Sequence, residues 1–157
     1  MLLWFLGGGV ALVWLVFKDP VIDFRVVGLG VLLPDVLDAG DPVALPFHSL
    51  CVIAGVLGLV MVATRRRRDR RRRWLALPIA MFVHLVLDAA WGTAEVFWWP
   101  VLGRGVRHAL PAADRGLALV LLQELAGLAA LVWAWREFRL AEPERRHRLV
   151  REGRLGA

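Results

Sequence analysis

The stretch "HLVLDAAWGTAEVFWWP" (84–100) lies in a part of the chain that otherwise reads as hydrocarbon, yet it carries His84 and Asp88 four positions apart. On a helix that spacing puts both side chains on one face. An imidazole and a carboxylate so placed can share a metal ion, or the carboxylate can hold the ring from behind. They can equally form a hydrogen bond between helices that only fixes packing. Asp35 and Asp38, in "LLPDVLDAGDP", have an i, i+3 spacing and also share a face, unless both sit in water at a helix end. His48 follows in "LPFHSL", and Glu124 stands beside Gln123 in "LLQELAG". Each such group is costly in lipid unless it is paired, hydrated or metal-bound, so depth along the helices decides what they do.

The elements that would set those depths are apolar. The chain has 157 residues, 59% of them hydrophobic, with eight tryptophans and no tyrosine, which points to one membrane domain. The lone Cys51 excludes an internal disulfide and reads as packing. "MLLWFLGGGVALVWLVF" lacks the positive region and small-residue cleavage site of a signal peptide and is expected to remain as a helix. A spanning helix needs about 20 largely apolar residues. Five candidates are available, at roughly 2–17, 21–38, 43–64, 74–92 and 116–135. The second is the weakest: Asp23 and Arg25 flank its start and Pro34 interrupts its end, so a short, tilted or re-entrant segment is an alternative. The expected fold is all-α, a polytopic membrane bundle of about five helices over residues 1–140, with a basic tail at 141–157. Gly7, Gly8, Gly9 and "ELAGLAA" read as points of close helix approach.

Orientation follows from arginine. Nineteen arginines and one lysine give a formal charge of +6, and "RRRRDRRRR" (65–73) concentrates the excess between the third and fourth spans. By the positive-inside rule this loop and the arginine-rich tail stay in the cytoplasm, which puts the N-terminus outside. A basic loop between spans is a topology signal that also attracts anionic headgroups, so nucleic acid is not an expected partner. The arginine-to-lysine ratio and the abundance of Ala, Val, Leu and Gly suggest a GC-rich bacterial source, hence the bacterial plasma (inner) membrane.

With that orientation Asp35, Asp38, His48, His84 and Asp88 all fall near the outer face, and Glu124 reaches the same layer from the fifth span. Two imidazoles and three carboxylates suit zinc, manganese or iron, with donors enough for one ion or a bridged pair.

These pieces resemble the YdjM-like family of membrane-bound metal-dependent hydrolases. The resemblance rests on "LLPDVLD" (32–38), "HSL" (48–50), "HLVLD" (84–88) and "FWWP" (97–100), in that order, and covers roughly residues 26–102. It implies a metal centre built from Asp35, Asp38, His48, His84 and Asp88.

The function expected is metal-dependent hydrolysis of a phosphoester in a lipid-like or membrane-associated substrate. A carboxylate left off the metal, Glu124 first and Asp38 second, would take a proton from water. Arg104, Arg107, His108 and Arg115, in the outer loop, would form a phosphate clamp, or are ordinary loop charges. Trp98 and Trp99 would sit at headgroup level where the substrate enters from membrane lipid. Two other classes fit the same residues: a metal transporter or channel, which needs access from both faces, and a structural membrane protein whose polar groups only fix packing. The sequence assigns no oligomeric state.

Overall fold

The computed structural model describes residues 1–39, 46–102 and 115–155, which form helices with no strand among them. In chain order these are α1 (Leu2–Phe17), α2 (Phe24–Asp38), α3 (Leu50–Ala63), α4 (Arg68–Trp74), α5 (Ala76–Asp88), α6 (Ala94–Phe97), α7 (Leu117–Glu137) and α8 (Pro143–Glu152). Single 3-10 turns, Pro46–His48 and Ala90–Gly92, precede α3 and follow α5.

Local chemistry explains the ends. Asp23 caps α2 by accepting from the Arg25 N–H, and Ser49 caps α3 by accepting from the Cys51 N–H, each at 3.1 Å. Lys18 closes α1 in a left-handed conformation, its N–H returning to the Trp14 carbonyl at 2.8 Å. α2 runs through Pro34 to Asp38, giving up only the bond that a residue-34 N–H would make to the Gly30 carbonyl.

Two parallel pairs form the bundle. α1 lies along α7, with Leu3 beside Glu124 and Gly7 beside Gly127. α2 lies along α5, with Gly30 against Leu77 and Ala80, and Val31 and Asp35 against His84. α1 also touches α2 and α5, and α3 packs on α5. The close approach has a steric basis: a Cβ at Gly7 would strike the Gly127 backbone, and one at Gly127 would strike the backbone of Leu3 and Trp4. The principal core joins Val13, Phe24, Val27, Val31 and Ala80 to Phe138.

The outer surface is unusually apolar. Leu117 is 74% exposed and Leu122 and Leu125 63% each, and further large apolar side chains project from α1, α2 and α3. The expectation of five full spans is nevertheless met only in part. α7, with 21 residues, is the one described helix long and apolar enough to cross a membrane. α1 has 16 residues and α5 has 13. At about 1.5 Å per residue these rise roughly 24 and 20 Å against a hydrocarbon core of about 30 Å.

Three helices have no counterpart among the expected spans, the single turn α6 and two in the arginine-rich segments. The arginine run is α4 rather than a plain loop. The basic tail contains α8, held on α2 by a 2.6 Å bond from the Phe24 N–H to the Gly153 carbonyl and by Leu149 and Leu155 at the core.

Candidate metal centre

α2 and α5 end side by side, and the 3-10 turn before α3 comes back across their ends. This brings Asp35, His48 and His84 together. The two Nε2 atoms are 3.2 Å apart, and Asp35 Oδ1 is 3.4 Å from that of His48 and 3.5 Å from that of His84.

Each imidazole is fixed through its other nitrogen. His48 Nδ1 is 2.6 Å from Asp38 Oδ2, and His84 Nδ1 is 2.7 Å from the Val31 carbonyl. Both acceptors demand a donor, so both neutral rings carry their hydrogen on Nδ1 and present an Nε2 lone pair to the centre. Two lone pairs facing at 3.2 Å beside a carboxylate oxygen repel one another unless a cation or a proton lies between them. In a tetrahedral site with bonds of about 2.0–2.1 Å, neighbouring ligand atoms are about 3.3–3.4 Å apart. The triangle of 3.2, 3.4 and 3.5 Å matches that separation, so these three residues can hold a divalent metal ion.

The surroundings are rigid on three sides. Phe5 of α1 stacks on His84 with ring centroids 4.1 Å apart, and both histidines are buried. Asp38, also buried, accepts from the Phe47 N–H as well. Ser49 donates its hydroxyl to the Trp99 carbonyl, tying the turn to the segment after α6. The Asp35 side chain is 47% exposed, and the triangle opens on that side.

No protein-family model, curated protein or solved structure matches this chain. Its own geometry therefore carries the reading.

The other residues singled out in the sequence fall at graded distances from the triangle. Asp38 stands behind His48, where a carboxylate orients a ring and raises its basicity, rather than on the central side. Asp88 lies one turn beyond His84, buried, with Oδ1 3.9 Å from Arg115 Nη2 and Oδ2 without a hydrogen-bond partner among the described residues. Arg115 gives Nη2 to the Asp88 carbonyl at 2.8 Å and Nη1 to Gln123 at 3.2 Å, so it braces the end of α5. Glu124 is not brought to the triangle: its Oε2 accepts from the Leu3 N–H at 3.0 Å, where it serves the start of α1. Trp98 is partly exposed and stands edge-on to Phe97, while Trp99 packs against the small core of Met81, Leu85 and Val96. Arg104, Arg107 and His108 lie outside the described residues.

Sequence reasoning missed Val31 and Phe5. The first acts through a backbone carbonyl, which no side-chain pattern can reveal. The second is one apolar residue among many in α1.

Proposed function

We propose that the protein is an integral-membrane metal-dependent hydrolase whose substrate is a phosphoester at headgroup level. The observation that carries this reading is the triangle of Asp35 Oδ1, His48 Nε2 and His84 Nε2, with both rings locked through Nδ1. The likeness of "LLPDVLD", "HSL" and "HLVLD" to the YdjM-like hydrolases and the apolar outer surface are consistent with it.

Asp35, His48 and His84 would hold a divalent ion, which when bound would supply the Lewis-acid activation of water and of a phosphoryl oxygen that hydrolysis of a phosphoester needs. The chain's own groups do the rest. Asp38 and the Val31 carbonyl hold the imidazoles in one tautomer and orientation. Asp88, one turn beyond His84 and with Oδ2 unpartnered among the described residues, would accept the proton; Glu124 also keeps one oxygen, Oε1, unpartnered there, but its Oε2 serves the Leu3 N–H at the start of α1. Phe5 and the apolar walls keep bulk water from the far side of His84. Asp35 marks the open side by which a headgroup enters.

The test is elemental analysis of the protein purified in detergent without chelator, with His84→Ala and Asp35→Ala compared at matched circular dichroism. One or two zinc, manganese or iron ions per chain, absent from the folded variants, support the reading and set up a screen of phosphoester substrates. A metal-free wild type that binds no added metal leaves only a packing network. Full metal with no phosphoesterase activity shifts the reading to a transport site.

A further inference from the structure

At the end of the bundle opposite the triangle, about 15–18 Å away at the α-helical rise of about 1.5 Å per residue along α2, lies a second polar site. It is a cleft of about 420 Å³ between the start of α2, α4 and the end of α8. Five arginines, Arg25, Arg72, Arg73, Arg151 and Arg154, line it with three acids. Arg68 and Arg71 border an adjoining recess that shares Arg72.

The arginines divide into a frame and a free set. Arg25 is framework: it grips Asp23 through Nε at 3.0 Å and Nη2 at 2.9 Å, and gives Nη1 to the carbonyls of Val150 and Arg151 at 2.7 and 2.9 Å. These are carbonyls of the last turn of α8, the end of the helix that favours a cation. Gly153 completes the lock: its φ is +76°, and a Cβ there would strike the Asp23 carboxylate. Arg73 reaches Asp23 from α4 at 2.8 Å. Arg151 and Arg154 are thus carried on a segment pinned to α2, across the cleft from α4. Among the described residues the Arg151 side chain has no hydrogen bond or ion pair, and Arg154 meets only Glu152, at 3.6 Å. Arg72 is more than half exposed beyond its bond to Asp19.

The geometry points to a binding site for a phosphate-bearing anion, read by Arg72, Arg151 and Arg154 on the frame set by Asp23 and Arg25. Guanidinium groups offer paired donors that match phosphoryl oxygens, and holding several on docked helices lowers the ordering cost of binding. The anion is either the headgroup of an acidic phospholipid or a soluble phosphate, and the two are separable by experiment.

The full chain in a neutral detergent would be titrated by calorimetry with dihexanoyl phosphatidylglycerol, dihexanoyl phosphatidylcholine and inorganic phosphate. Arg151→Gln, Arg154→Gln and Arg70→Gln would be compared with wild type. Arg70 is on α4 but lines neither recess, so its substitution removes the same charge without touching the cleft. We expect saturable binding of phosphatidylglycerol or phosphate, weakened about tenfold by Arg151→Gln or Arg154→Gln and less than twofold by Arg70→Gln. Binding of phosphatidylglycerol alone identifies a lipid headgroup, and binding of inorganic phosphate as well identifies a general phosphoryl site. Equal losses in all three variants, equal binding of phosphatidylcholine, or no saturable binding of either anion would overturn the assignment.

Discussion

His48 and His84 point their Nε2 atoms at each other across 3.2 Å, while each ring's Nδ1 is committed to an acceptor behind it, Asp38 or the Val31 carbonyl. Between two neutral rings the contact is unfavourable, and either a metal ion or a shared proton between the two Nε2 atoms relieves it. Removing metal should therefore loosen the bundle. A chelator should lower the thermal midpoint of the wild type in detergent, and zinc should restore it. At a free concentration one hundred times Kd the restored stability is about 2.7 kcal/mol. His84→Ala should be indifferent to both additions; a chelator effect of equal size in that variant would place the ion elsewhere.

Asp38 acts through His48. Asp38→Asn should keep the helices but reduce metal affinity by about 10–100-fold, the usual result of losing a carboxylate behind a ligating imidazole. Competition with a chromophoric chelator measures it. An unchanged affinity would mean that the 2.6 Å contact is only structural.

Glu124→Gln separates the two carboxylates left as candidates for proton transfer. Because Glu124 is engaged with the Leu3 N–H, its loss should cost about 1 kcal/mol of stability and leave the metal content intact. Asp88→Asn should retain the metal and lose hydrolytic turnover. A turnover loss confined to Glu124→Gln would reverse the assignment.

The α1–α7 seam should tolerate no side chain. Gly127→Ala drives a methyl into the backbone of Leu3 and Trp4 and should destabilise the protein by about 1–3 kcal/mol. Gly55→Ala, in open space on α3, should be neutral or slightly stabilising. Thermal midpoints of the two variants decide the point.

Asp23, outside α2 at its cap, makes stability depend on acid. Burial raises its carboxyl pKa, but the bonds and charges of Arg25 and the charge of Arg73 outweigh burial and hold it below the ordinary carboxylate value. A lowered folded pKa means that the contribution is complete above the unfolded value of about 3.9 and is lost as pH falls through the folded one. Wild-type stability should thus decline below about pH 4, with a shallower decline in Asp23→Asn. Parallel declines would show that other carboxylates dominate.

Asp35, His48 and His84 were legible in the sequence because polar and charged groups are conspicuous in apolar runs. Asp35, His48 and His84 stood out by type, and helical depth put them in one layer. Their division of labour was not legible. Asp35 and Asp38 share a face at i, i+3, and which of them meets the metal side of His48 depends on how the 3-10 turn at Pro46–His48 returns over α2. Glu124 stands out by type as well, but its observed partner is a backbone N–H, a donor every residue but proline owns, and no side-chain pattern announces it. The ends of α1, α2 and α7 fall within three residues of the expected spans, but α3 starts at Leu50 rather than near 43 and α5 ends at Asp88 rather than near 92. Apolar runs such as 74–92 include a left-handed stop at Ala89 and a 3-10 turn, and the α-helix itself ends at Asp88. Arginine density concealed α4 and α8, since charge argued for topology and said nothing about helix.

The parallel seam of α1 with α7 joins an early segment of the chain to a late one, and this has a consequence for biosynthesis. The described groups that form the triangle or hold its rings, Phe5, Val31, Asp35, Asp38, His48 and His84, all precede residue 89. These residues of the candidate metal site are all in the nascent chain before the first residue of α7 leaves the ribosome. Gly8 and Gly9 of α1 meet Leu87 and Val31 in that earlier half, whereas Gly7 waits for Gly127, whose arrival closes the seam.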